Sequence, residues 1–104
     1  MSPSVAGGKY QAELDGDLLR ISGELDYTIS QEARAQFREL LAEGVGALKV
    51  DIGELQYMDS SGLGVLLDMR KFLASTGRSM IITRFTPHVA KIFEVTQVGK
   101  LFGI

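Results

Sequence analysis

The sequence predicts a single-domain α/β sandwich, a mixed β-sheet of four to five strands packed against three or more helices. Three observations carry this prediction. Near the start, Tyr10, Ala12 and Leu14 alternate with Gln11 and Glu13 ahead of an Asp15-Gly16 pair, the pattern of a strand entering a hairpin. Beyond it, stretches of alternating apolar residues take turns with stretches at helical spacing, the order that builds parallel βαβ crossovers. Finally, 104 residues with 45% hydrophobic and 23% charged content suit one core and leave no room for a second.

Each element has a local cause. Asp15-Gly16 supplies the φ > 0 positions of a tight turn, and Leu18 to Ser22 forms the returning strand. Gly23-Glu24-Leu25-Asp26-Tyr27-Thr28 reads as a polar exit loop. Ala33, Phe37, Leu40 and Leu41 then recur at helical spacing, with Ser30 placed to cap the start and Gly44 to end the helix. Leu48, Val50 and Ile52 mark a third strand ending near Leu55. A second helix, about Ser61 to Thr76, has only Asp68, Lys71 and Ser75 as a polar stripe, so it is expected to be the most buried of the three or to keep apolar surface for a partner. Gly77 stops it and Met80-Ile81-Ile82 is a compact strand. Thr86-Pro87 is the N-cap and first residue of a third helix whose inner face is Val89, Ile92 and Phe93. Leu101 to Ile104 is expected to form a short strand or a docked terminus. Residues 1–8 read as a flexible lead-in to a domain over 9–104.

Composition removes several function classes. Eleven basic against thirteen acidic residues give a net charge of -2, so no basic excess points to nucleic acid or an anionic membrane. The charge is asymmetric along the chain: residues 1–60 sum to -6 (5 basic, 11 acidic) and residues 61–104 to +4 (6 basic, 2 acidic). With no cysteine, disulfides, thiolate metal sites and a cysteine nucleophile are excluded, and a cytoplasmic setting is expected. The one histidine, His88, cannot build a histidine metal cage. The N-terminus lacks a signal-peptide pattern, and no apolar run approaches membrane-spanning length.

The chemistry concentrates in Tyr57-Met58-Asp59-Ser60-Ser61-Gly62-Leu63-Gly64, where a strand turns into a helix. Asp59 or Ser60 falls at the helix cap, and capping alone accounts for the residue types, at about 1 kcal/mol. A first-turn serine is also a good phosphate acceptor. The phosphate faces unpaired N–H groups at the positive end of the helix and adds about -1.5 to -2 charges beside Asp59. The spacing leaves both readings open. Gly62-Leu63-Gly64 begins like a dinucleotide fingerprint, but Leu67 stands where the third glycine belongs, and no phosphate-binding loop ending in Gly-Lys-Ser/Thr is present, so no cofactor is expected.

Met58-Asp59-Ser60-Ser61-Gly62-Leu63-Gly64-Val65-Leu66 resembles the signature of the STAS domain, specifically of the bacterial anti-sigma factor antagonists. Gly23-Glu24-Leu25-Asp26 resembles an earlier loop of that family, and the order of elements agrees over nearly the whole chain. The resemblance implies a non-enzymatic switch. Ser60, directly after the aspartate, would be phosphorylated by a partner that is both anti-sigma factor and serine kinase of the histidine-kinase-like ATPase type. The unphosphorylated form would capture that kinase, and a serine phosphatase would restore it. Asp26, Asp59, Ser61, Gly62 and Leu63 match motif positions on or beside the family's interaction face. The free protein is expected to be monomeric.

Other readings make different demands. A hydrolase using Ser60 would need His88 as base, yet the context is not Gly-x-Ser-x-Gly and His88 lies at the start of an amphipathic helix. A receiver domain phosphorylated on Asp59 would need acids gathered at the end of the first strand, which that strand does not offer in clear form. Within the STAS family, a scaffold or transporter-accessory subunit is the alternative, as is a partner switch whose output is secretion.

Overall fold

The computed structural model describes residues 2–104. Five strands, β1 (Ser4–Ala6), β2 (Tyr10–Asp15), β3 (Leu18–Leu25), β4 (Leu48–Met58) and β5 (Met80–Phe85), form one sheet in the order β1-β2-β3-β4-β5. The β1-β2 and β2-β3 pairs are antiparallel, whereas β3-β4 and β4-β5 are parallel. Three helices, α1 (Ser30–Leu40), α2 (Ser60–Ala74) and α3 (Pro87–Thr96), and a terminal 3₁₀ turn at Gly99–Phe102 complete the chain. The predicted mixed-sheet sandwich is the observed one.

Both crossovers, β3-α1-β4 and β4-α2-β5, step across the sheet in the same direction, so right-handed connection places α1 and α2 side by side. Arg38 of α1 joins them, donating from Nε and Nη2 to the Asp68 carboxylate at 3.1 and 2.9 Å while its guanidinium lies over the Phe72 ring. That ion pair holds the Asp68 carboxyl below the usual carboxylate range. Between sheet and helices, Leu19, Ile21, Leu25, Val50 and Ile52 of the strands and Leu66 of α2 are buried. Tyr10 packs edge-on to Phe37, and burial pushes its hydroxyl pKa up to about 12.

The differences from the sequence reading have local causes. The returning strand does not stop at Ser22 but runs to Leu25. Gly23, at φ +93°, lets it pass so close to the Lys9 carbonyl that a Cβ would collide there. Likewise β4 runs to Met58 rather than ending near Leu55. Its pairing with β3 slips between Arg20 and Ser22 and again between Gly23 and Glu24, and these bulges break the apolar alternation that marks a strand in sequence. Ser30 does not cap α1: Ile29 holds the N-cap position, and the Ser30 hydroxyl donates to the Tyr27 carbonyl instead. The helix also ends before Gly44, at Leu40, because Leu41 turns inward to close the core.

Within the lead-in expected over residues 1–8, Ser4–Ala6 forms edge strand β1, paired through the backbone with Gln11 to Glu13, a contact that hydrophobic pattern cannot announce. Met1 lies outside the described residues. Met80-Ile81-Ile82 extends to Phe85. The tail docks as a 3₁₀ turn, with Phe102 buried against Phe93 at 5.7 Å between ring centroids. Thr86-Pro87 starts α3 as predicted, the Thr86 hydroxyl accepting from the Val89 N–H at 3.2 Å. The prediction that α2 is the most buried helix also holds, with Gly62, Leu63, Val65, Leu66, Met69 and Leu73 all inside.

Candidate functional site

Parallel pairing brings the carboxyl ends of β3 and β4 out together, with Leu25 opposite Met58. The residues that follow each strand, Asp26 and Asp59, therefore meet at one edge of the sheet, the place where open α/β sheets present their functional loops. The Asp59 N–H donates to the Leu25 carbonyl at 3.4 Å, and the Tyr27 N–H donates to Asp59 Oδ2 at 3.3 Å.

Asp59 is the N-cap of α2. Its backbone is extended, and Oδ1 accepts from the N–H groups of Ser61 at 2.8 Å and Gly62 at 3.1 Å. The two carboxylate oxygens thus serve different elements, one the helix and the other the loop after β3. Ser60 follows as the first helical residue and is exposed. Of the two cap candidates, the structure selects Asp59. The Ser60 hydroxyl is left at the helix start without that duty, and Ser61 beside it is half-buried.

Gly62 and Leu63 face the other way. Leu63 is 6% exposed and belongs to the core, and Gly62 lies against β3, where a Cβ would collide with the Leu25 carbonyl oxygen and the Met58 side chain. Both shape the ground beneath Ser60 from inside the fold.

Asp26 is bound on both oxygens. Oδ2 accepts from Lys9 Nζ at 2.6 Å, and Oδ1 accepts from the Thr28 N–H at 2.9 Å and the Thr28 hydroxyl at 2.5 Å. These contacts, the Lys9 bond foremost, hold its pKa down at about 2 and raise that of Lys9 in turn. The sequence reading found Asp26 but missed Lys9 and Thr28. A signal for Lys9 existed: counting back from the Asp15-Gly16 turn, where Tyr10 pairs with Gly23, puts Lys9 beside the end of β3.

Past Ser60, a shallow groove of about 360 Å³ opens towards α3, lined by Met58, Asp59, His88, Lys91, Ile92 and Val95. His88 stacks on Tyr57 with ring centroids 5.5 Å apart, and its Nε2 donates to the Met58 carbonyl at 3.0 Å. A carbonyl oxygen only accepts, so Nε2 carries a hydrogen and is not the nitrogen that could take a proton from Ser60. Among the described residues, no three His, Asp or Glu side chains gather closely enough to hold a cation, so the acidic cluster of a receiver site is not assembled here. No helix is long and apolar enough to cross a membrane.

Known proteins are similar to this chain in sequence and fold. The anti-sigma F factor antagonist of Paenibacillus polymyxa is 32% identical over 88 residues, covering 84% of this chain and 75% of that protein. The unphosphorylated anti-sigma factor antagonist SpoIIAA superposes with a TM-score of 0.68 at 27% identity, over 88% of this chain and 84% of its own. The phosphorylated form of the Bacillus cell fate determinant SpoIIAA gives 0.61 at 26% identity, over 88% and 86%. The family model described as Mlab, STAS domain matches residues 9–103, and this chain belongs to the STAS domain family.

Proposed function

We propose that this chain is an anti-sigma factor antagonist that changes partners through the phosphorylation state of Ser60. Unphosphorylated, it captures an anti-sigma factor that is also a serine kinase; phosphorylated, it is released, and a serine phosphatase resets it. The observation that carries this reading is an exposed hydroxyl on the first turn of α2, beside a cap supplied by a different residue. A group that performs no capping can be modified without dismantling the helix.

The kinase would supply ATP, magnesium and the base that accepts the hydroxyl proton, while this chain supplies the oxygen nucleophile. The resulting phosphate carries about -1.5 to -2 charges at pH 7. Placed where the kinase had covered a neutral hydroxyl, it would cost several kcal/mol, and about 1.4 kcal/mol already means a tenfold loss of affinity. Asp59 and Ser61 flank the acceptor in the partner-binding segment, Gly62 and Leu63 support it from below, and Asp26 shapes the neighbouring loop. The switch operates in the cytoplasm, and its free form is a monomer.

Paired baits test this reading. Ser60→Ala should retain a small serine kinase from the source cells and resist phosphorylation by it, whereas Ser60→Asp should retain much less. Phosphate mapped by mass spectrometry to Ser61 would refute the acceptor assignment. A membrane complex held equally by both baits would refute the switch.

A further inference from the structure

The loop after β3 contains a large exposed side chain whose backbone is tied down at both ends. Tyr27 is 74% exposed, yet its N–H donates to Asp59 Oδ2 and its carbonyl accepts from the Ser30 hydroxyl at 3.3 Å. Asp26, by contrast, has a side chain only 12% exposed, with both oxygens occupied by Lys9 and Thr28. A carboxylate so engaged has little left to offer a partner. Its bonds hold Asp26 and Thr28, the residues on either side of Tyr27, in one conformation.

We infer that Tyr27 is the aromatic anchor by which the chain holds its kinase, and that Lys9 and Asp26 are positioning residues that act through Tyr27 rather than by touching the partner. This rests on the function proposed above, which also identifies the occupant. Ser60 must enter the kinase active site, and Tyr27 is hydrogen-bonded to Asp59, the residue next to Ser60, so a kinase engaging that hydroxyl covers the tyrosine as well. Tyrosine suits the role: it brings wide apolar contact, one polar tip and few rotamers to freeze, and its backbone is already ordered before binding. Lys9 contributes from a distance in sequence, since the β2-β3 hairpin brings it to the end of β3, where its carbonyl also accepts the Glu24 N–H at 2.8 Å.

A mutant cycle measured against the kinase recovered with the Ser60→Ala bait tests the inference. Tyr27→Ala should weaken binding by about tenfold or more and leave the melting temperature unchanged. Lys9→Met should weaken binding several-fold, and Lys9→Arg, which can still pair with Asp26, should restore it. In the Tyr27→Ala background, Lys9→Met and Asp26→Asn should cost nothing further, because the residue they act through is gone. If Asp26→Asn unfolds, the Lys9→Met and Tyr27→Ala pair carries the same cycle. Unchanged affinity for Tyr27→Ala, or losses that add in the double variants, would overturn the inference and leave the Ser60 switch standing. Recovery of no kinase by Ser60→Ala would overturn the function reading and the anchor with it.

Discussion

Gly62→Ala is the most exacting test of how the site is built, because it adds one methyl group where two elements meet. A Cβ there would lie 2.5 Å from Met58 Cγ and 2.9 Å from Leu25 Cβ and would collide with the Leu25 carbonyl oxygen. That carbonyl belongs to β3 and accepts the Asp59 N–H, so it cannot step aside without moving the strand or the cap. Overpacking of this kind costs about 1–3 kcal/mol, and alanine returns about 0.5–1 kcal/mol through helix propensity. The net expectation is destabilisation by about 1–2 kcal/mol. For a domain of this size it lowers the melting temperature by roughly 4–16 °C, at about 4–8 °C per kcal/mol. Gly64→Ala is the internal control. Its Cβ would meet only the far end of the Arg34 side chain, which can swing away, so the propensity gain of about 0.5–1 kcal/mol should survive. Urea denaturation of both variants decides the matter. A Gly62→Ala protein as stable as its parent, or a Gly64→Ala protein that loses as much, would refute the close approach of α2 to β3 as the reason for glycine.

Two further outcomes follow from the carboxylates of the site. Asp59→Ala should cost about 1–2 kcal/mol through lost capping, and Ser60→Ala almost nothing; denaturation curves showing the reverse order would move the cap to Ser60. Asp26 links stability to pH: its pKa is lowered from 3.8 to about 2 on folding, so its contribution is complete above the unfolded value and disappears as pH falls through about 2. The deficit of Asp26→Asn relative to its parent should therefore be constant at neutral pH and close between about pH 4 and pH 2, as melting curves across that range would show; a deficit that persists at pH 2 would mean that shape, not charge, holds the loop.

The sequence made the repeating parts of this fold legible and left its irregular parts hidden. Strands and helices announce themselves by period, so the Leu48-Val50-Ile52 alternation and the Ala33-Phe37 spacing placed β4 and α1 without aid. Period fails where β4 carries extra residues against β3, which is why its last turn of pairing, up to Met58, looked like loop. Edge strand β1 was invisible for another reason: it is held by backbone bonds to β2, and Ser4-Val5-Ala6 need carry no pattern to make them. Within the site, adjacent residues were easy to associate and distant ones were not. Asp59 and Ser60 fell together in one motif, whereas the Lys9 ammonium reaches Asp26 only because a hairpin and its register carry it there.

Capping and modification competed for the same hydroxyls in the sequence, and the structure separates them by one residue. Asp59 has a side chain that serves both neighbours, closing the first turn of α2 through Oδ1 and steadying the Tyr27 backbone through Oδ2. Had Ser60 carried the cap, a phosphate there would have cost the helix its cap, about 1 kcal/mol, each time it was added. With the cap on Asp59, a phosphate on Ser60 would enter a turn that is already closed, so its charge would be expressed at the surface and not in the fold. A Ser60 phosphoprotein should stay folded, its unfolding free energy displaced by no more than about 1 kcal/mol, the scale on which a charge at a helix N-terminus acts.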